Sequence, residues 1–140
     1  MSLSIRNQIP GTVTSVTAGE AMATVRARLD GGQEVTAAVT VDAVKDLGLA
    51  EGSAVRAMVK STDVSLATGP VSGLSIRNRI PGTVTGITAG AAMATVHVAV
   101  EGGGVLTSAV TRDAVTELGL TNGSAVVALI KATELSLATV

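Results

Sequence analysis

The 140-residue sequence predicts an all-β protein, built as two tandem five-stranded β-barrels with one short helix between the third and fourth strands of each. Three observations carry this. Residues 3–68 align without a gap on residues 74–139, at a period of 71, and about 42 of the 66 aligned positions are identical, which marks the duplication of a whole domain. Within each copy, runs rich in Val and Thr alternate apolar and polar residues with a period of two. Gly, Pro and Asp clusters separate those runs and turn the chain. The division follows: a first domain at residues 1–69, a linker at 70–73, and a second domain at 74–140. Gly69, Pro70 and Gly73 at the joint cannot continue a strand or a helix.

Each element has its own reason. Residues 12–17, "TVTSVT", are β-branched except Ser15, which favours a strand. Pro10 and Gly11 interrupt that run, so "LSIRNQI" before them is an edge strand or a strand that bends there. After the "TAGEA" turn, Ala21, Ala23, Val25, Ala27 and Leu29 alternate with Met22, Thr24, Arg26 and Arg28, giving a second strand with one polar face. "DGGQ" makes a hairpin turn and residues 35–40 form the third strand. The only helix signal is "VDAVKDL". Thr40 is its N-cap, Asp42 places a carboxylate in its first turn, and Gly48 takes the left-handed position after it. Residues 54–60 and 64–68 complete the copy as two strands separated by "STD". The second copy repeats this order, with Thr111, Asp113 and Gly119 at the helix ends. Five short strands with a helix between the third and fourth fit an OB-fold-like barrel.

Composition narrows the function. The net charge of −1 provides no global field for nucleic acid or anionic lipid. Without Cys there is no disulfide, thiolate metal site or thiol nucleophile, as suits a reducing compartment. The start "MSLSIRNQIPG" has no apolar signal core, and no apolar run reaches the roughly 18 residues of a membrane span. A cytoplasmic protein with no membrane partner is expected. Phe, Trp and Tyr are all absent, whereas only 15% of residues are charged. A domain of this size without large side chains builds a small core, and a monomer would expose Val, Ala, Ile and Leu. Association between chains would bury them.

Catalysis finds little support. The sole His, His97, stands where the first copy has Arg26, on what should be a solvated strand face, and the repeat offers no converging base and nucleophile. Asp42 and Asp113 are explained by their helix starts. No His or carboxylate cluster suggests a cation site. "DGGQE" and "EGGGV" lack the Lys-Ser/Thr ending of a phosphate loop and do not lead into a helix. Single-stranded nucleic acid is disfavoured because there are no aromatic rings on which bases could stack. What remains is a set of anion-compatible groups at the two ends of each copy: Ser4, Arg6 and Asn7 from the first segment, and Lys60, Ser61 and Thr62 from the last junction. An Arg fork, an ammonium, hydroxyls and free backbone N–H groups are all donors, and together they suit a tetrahedral oxyanion. The plainer alternative is that Arg6 and Lys60 only solubilise a strand edge.

"SIRNQIPGTV" with "VKSTDVSLAT", and "SIRNRIPGTV" with "IKATELSLAT", resemble the molbindin, or Mop, family of molybdate- and tungstate-binding domains. The likeness covers nearly the entire chain, helix and following turn included, and its duplication resembles the di-Mop form. The resemblance implies molybdate or tungstate as the bound ligand, held at domain and subunit interfaces by backbone amides and Ser, Arg and Lys side chains. It also implies a homo-oligomer, a trimer of two-domain chains. By position, the implied residues are Ser4, Ile5 through its N–H, Arg6, Lys60 and Ser61, and in the second copy Ser75, Ile76, Arg77, Lys131 and Ala132. Asn7 and Asn78 either fix the strand or line a neighbouring site. The chain departs from the pattern at Ile5 and Ile76, where the family has a small residue, and at Ala132, which lacks the hydroxyl of Ser61. Arg79 in place of Gln8 adds a charge. Unequal sites are therefore expected.

Two non-enzymatic functions follow. One is an oxyanion-binding protein for molybdenum storage and homeostasis. The other is an oxyanion-sensing regulatory or scaffold module acting through a protein partner, a role that such domains take within larger proteins of this family.

Overall fold

The computed structural model describes residues 1–140. The first copy contains β1 (Asn7–Ala18), β2 (Met22–Leu29), β3 (Glu34–Thr40), α1 (Val41–Leu47), β4 (Ala54–Val59), a 3₁₀ turn at Ser61–Asp63, and β5 (Ser65–Ala67). The second repeats it with β6 (Asn78–Ala89), β7 (Met93–Val100), β8 (Val105–Thr111), α2 (Arg112–Glu117), β9 (Ala125–Ile130), a 3₁₀ turn at Ala132–Glu134, and β10 (Ser136–Thr139). The all-β class and the element order agree with the expectation from sequence.

The Pro-Gly pair bends the first strand without ending it. β1 pairs with β4 along Asn7 to Thr12 and with β2 from Gly11 onward, so Gly11 stands where the strand passes from one neighbour to the next. A Cβ at Gly11 would lie 2.7 Å from the Arg28 carbonyl oxygen, and one at Gly82 would lie 2.7 Å from that of Ala99. Only glycine allows that approach. The Pro10 carbonyl stays useful and accepts from the Asp30 N–H at 3.0 Å. "LSIR" itself lies outside the strand, which begins at Asn7.

The helices form as their caps predict. The Thr40 hydroxyl accepts from the Ala43 N–H at 3.0 Å, and the Thr111 hydroxyl from that of Ala114 at 3.1 Å. Gly48 and Gly119 take φ of 63° and 62°.

The fifth strands are exchanged. One sheet has the order β10-β4-β1-β2-β3 and the other β5-β9-β6-β7-β8. The expectation that five consecutive strands of one copy build that copy's own sheet is thus corrected: β5 leaves the first copy to pair Ser65 with Leu129, and β10 returns to pair Ser136 with Met58. Val64 and Leu135, immediately before the exchanged strands, are only 1% and 4% exposed. Burying such side chains stabilises the arrangement by about 1.5–3 kcal/mol each. Both copies contribute to one continuous core, made of Val, Leu, Ile and Ala in place of aromatic rings.

Three polar side chains are buried in it: Asn7, Asn78 and Ser108. Asn7 donates from Nδ2 to the Thr107 carbonyl at 2.8 Å and accepts at Oδ1 from the Thr107 N–H at 2.7 Å. Asn78 does the same with Thr36, at 2.9 and 2.7 Å, and also donates to the Ile130 carbonyl at 3.1 Å. Each carboxamide thus imitates a strand partner for the other copy, satisfying backbone groups that would otherwise be buried without partners. Ser108 donates to the Val64 carbonyl at 2.5 Å, whereas the first copy has Ala37 at that position.

Candidate oxyanion site

The sheet register brings the two ends of each copy together. Asn7 lies opposite Val59 and Asn78 opposite Ile130, in antiparallel pairs, so the residues just before β1 and β6 run beside those just after β4 and β9. Ile5 thereby comes beside Lys60, and Ser75, Ile76 and Arg77 meet the corner at Lys131 and Ala132. Neither segment belongs to a ladder, so its backbone N–H groups are not committed to strand pairing.

In the second copy the meeting is a depression. Ser75, Ile76, Arg77, Lys131 and Ala132 line it together with Thr133, around a volume of about 240 Å³. These are the five second-copy residues singled out by position, plus one hydroxyl that was not. The Arg77 guanidinium and the Lys131 ammonium supply two positive charges, and the chain's one ion pair is elsewhere, between Arg28 and Glu34 at 3.2 Å. A tetrahedral dianion in this depression would meet an Arg fork, an ammonium, two hydroxyls and backbone N–H donors from more than one direction.

The first copy is arranged differently. Arg6 folds back on its own segment, donating from Nε to the Ser4 carbonyl at 3.1 Å. Ile5 and Lys60 line a cleft between the copies with Thr133, Glu134 and Ser136. The Ser61 hydroxyl is buried without any hydrogen-bond partner. A buried orphan hydroxyl costs about 1–3 kcal/mol unless something fills its place, and it stands where the oxyanion reading requires a donor.

Asn7 and Asn78 reach the site only as its supports. Their carboxamides are engaged with Thr107 and Thr36, which fixes where β1 and β6 begin. Sequence reasoning passed over a second support: Gln8 donates from Nε2 to the Ile5 carbonyl at 2.9 Å, and Arg79 from Nε to the Ile76 carbonyl at 3.1 Å. Both brace the loop from the same repeat position, despite the change of residue. The signal was the three-residue reach from a long donor side chain back over a loop that has no ladder.

Other places offer less. His97 is half-buried, not fully solvated, and its Nδ1 lies 3.2 Å from the Thr107 hydroxyl on the neighbouring strand. The largest depression, about 520 Å³, is lined by Gly69, Pro81, Val100 and Val127 among others, and no Lys or Arg reaches it, so size does not mark the anion site. No grouping of His and carboxylates is close enough to hold a metal ion, and no helix is long and apolar enough to cross a membrane.

Residues 3–66 and 74–137 each match the TOBE domain family. The chain is 38% identical over 138 residues to the molybdenum transport protein ModE of Azotobacter vinelandii, covering 99% of this chain and 51% of that protein. It is 39% identical over 136 residues to the molybdenum-pterin-binding protein MopB of Rhodobacter capsulatus, covering 96% of this chain and 50% of that one. The chain thus spans about half the length of these curated relatives. Among solved structures, it is similar to the cytoplasmic molybdate-binding protein ModG with molybdate bound, with a TM-score of 0.97 and 41% identity over 100% of both chains. Two matched copies, together spanning most of the sequence, place this chain in the TOBE-domain family as a tandem, Mop-like member.

Proposed function

We propose that this chain is a non-enzymatic, cytoplasmic molybdate-binding protein that stores molybdenum and buffers its supply. The observation that carries the reading is the single depression formed by Ser75, Ile76, Arg77, Lys131, Ala132 and Thr133, in a fold shared over its full length with a molybdate-bound relative. In the first copy the equivalent donors are Ser4, the Ile5 N–H, Arg6, Lys60 and Ser61, with Asn7, like Asn78, holding the strand in place. Molybdate, tungstate and sulfate can all be tetrahedral dianions, so charge alone does not sort them. A cage of fixed donors selects by size: a smaller ion leaves some donors unsatisfied, and each buried donor left without a partner weakens binding.

The assembly we propose is a homotrimer, with sites completed between domains. Met22 and Met93 are 48% and 49% exposed, and Leu47 and Leu118 also stand in solvent at equivalent places in the two copies. Exposed apolar side chains repeated at equivalent places suit a symmetric contact made by both copies.

Equilibrium dialysis against molybdate with excess sulfate, with assembly mass recorded on the same sample, tests this. More than one molybdate per chain on a trimer, undisturbed by sulfate, is the expected result. Displacement by sulfate, or no retained metal, would reduce the site to a general anion patch or a strand edge.

One observation favours a second reading, an oxyanion-sensing module. The match covers about half of ModE, so the same tandem occurs as part of a longer chain. Sensing predicts that loading with molybdate alters hydrogen exchange at a surface remote from the anion; storage predicts protection confined to the site.

A further inference from the structure

The strand exchange brings the 3₁₀ corners of the two copies together, and with them two acidic residues that the oxyanion reading does not use. Asp63 and Glu134 occupy the same repeat position, three residues after Lys60 and Lys131. Two clefts lie between the copies. One, of about 150 Å³, contains Lys131, Asp63 and Glu134; the other, of about 170 Å³, contains Lys60, Asp63 and Glu134. Each cleft therefore holds one lysine of the anion site and both carboxylates. Lys131 also lines the depression with Ser75 and Arg77, so the same lysine borders both the anion depression and one of the acidic clefts. Neither lysine closes an ion pair with them: Arg28–Glu34 is the only pair within bridging distance.

We infer that Asp63 and Glu134 are shared affinity-setting residues, which restrain oxyanion binding in both copies at once. This rests on the oxyanion reading above. A dianion arriving beside Lys60 or Lys131 gains the attraction of the lysine and meets the repulsion of two carboxylates, both of which act on either site because both line either cleft. The result is a site that binds and releases, in place of one that only accumulates. Isolated carboxylates at a 3₁₀ corner would act on their own copy alone; the exchange makes them common property.

The test is titration of molybdate into the full chain carrying Asp63→Asn or Glu134→Gln, each in an Arg6→Ala or an Arg77→Ala background that silences one class of site. Asp46→Asn, the same change of charge on α1 and outside both clefts, is the control. Either cleft substitution is expected to tighten molybdate binding in both classes by about three- to tenfold at low salt, an effect that shrinks as salt is raised and exceeds that of Asp46→Asn. Affinity equal to the control, or a change confined to the substituted copy, overturns the inference. A lowered melting temperature with unchanged affinity also overturns it, leaving the two acids as turn residues. A parent chain that retains no molybdate removes the site reading itself, and this inference with it.

Discussion

The two copies share the polar side chains that lock them together, and most of their changes of charge lie on surfaces that only one of them presents. The exchanged strands lie in segments, residues 65–68 and 136–139, that both read "SLAT", and the interlocking Asn7 and Asn78, the Lys-x-Thr corners and the Pro-Gly bends are the same in both. Differences gather elsewhere. Arg28 and Glu34 form an exposed ion pair in the first copy, where the second has Ala99 and Val105. Arg56 donates to Gln8 at 3.3 Å, whereas Val127 at the equivalent place lines the large apolar depression. Ser61 has Ala132 as its counterpart at the same repeat position. At the contact itself Val64 and Leu135, like Met58 and Leu129, differ only in apolar shape, whereas Ser108 adds a hydrogen bond: it secures one exchanged segment through Val64 while Ala37 leaves the other without that bond. A contact reused by both copies constrains two positions at once; a solvent-facing residue constrains only its own.

The comparison breaks most severely at the interlocking amides. Asn78→Ala removes bonds to Thr36 and Ile130 and leaves buried backbone groups unpaired, which should destabilise the chain by about 2–4 kcal/mol in urea unfolding. Asn7→Ala, which removes bonds to Thr107 alone, should destabilise it less. Equal losses would mean that the third bond is worth nothing. Next come the arginines: Arg77→Ala and Arg6→Ala should each weaken molybdate binding in their own copy by about 10- to 100-fold, matching roughly 1.5–3 kcal/mol for a charge-assisted hydrogen bond. Calorimetric titration would resolve the two classes.

Smaller effects sharpen the contrast. Ala132→Ser should bring the second class of site toward the first, and Ser61→Ala the reverse, by about two- to tenfold, in line with one hydrogen bond of about 0.5–1.5 kcal/mol. Identical affinities across all three proteins would show that this hydroxyl takes no part. Ser108→Ala should lower stability by about 1 kcal/mol without altering either affinity. Glu34→Gln, at a pair whose side chains are 61% and 55% exposed, should change the unfolding midpoint by less than the equivalent of about 0.5 kcal/mol, and still less at high salt.

Most of the local structure was legible in the sequence. Alternation at Ala23, Val25, Ala27 and Leu29 fixes which face of β2 turns inward, and all four are buried. Thr40 and Gly48 mark the ends of α1 through hydrogen bonding and backbone conformation that depend on neighbours in sequence. The exchange was not legible, for a physical reason. β5 and β10 begin with the same Ser-Leu-Ala, and β4 and β9 present similar edges, so a strand pairs as well with the other copy as with its own. The site was readable as a set of donors, because strand ends and corners are ordered by the chain. Its asymmetry was readable at Ser61 and Ala132 and at Gln8 and Arg79. That Arg6 folds back on Ser4 and that Ser61 lacks a partner depend on side-chain directions, and that Asp63 and Glu134 share two clefts depends on how the copies meet. The buried amides did leave a trace: Asn7 falls in phase with Val13 on the inward face of β1, where a polar residue needs a partner.

Because β10 completes the sheet begun by β1, the protein matures late during synthesis. As the chain leaves the ribosome, β1 to β4 can assemble, but their open edge waits for residues 136–139, with Ser136 pairing to Met58 across most of the second copy. Until then that edge offers unpaired N–H and carbonyl groups to any passing strand, including the "SLAT" of a neighbouring nascent chain. Two chains that meet at that moment can complete each other, so the rate of translation and the crowding of polysomes would influence how much closed protein and how much interlinked material a cell obtains.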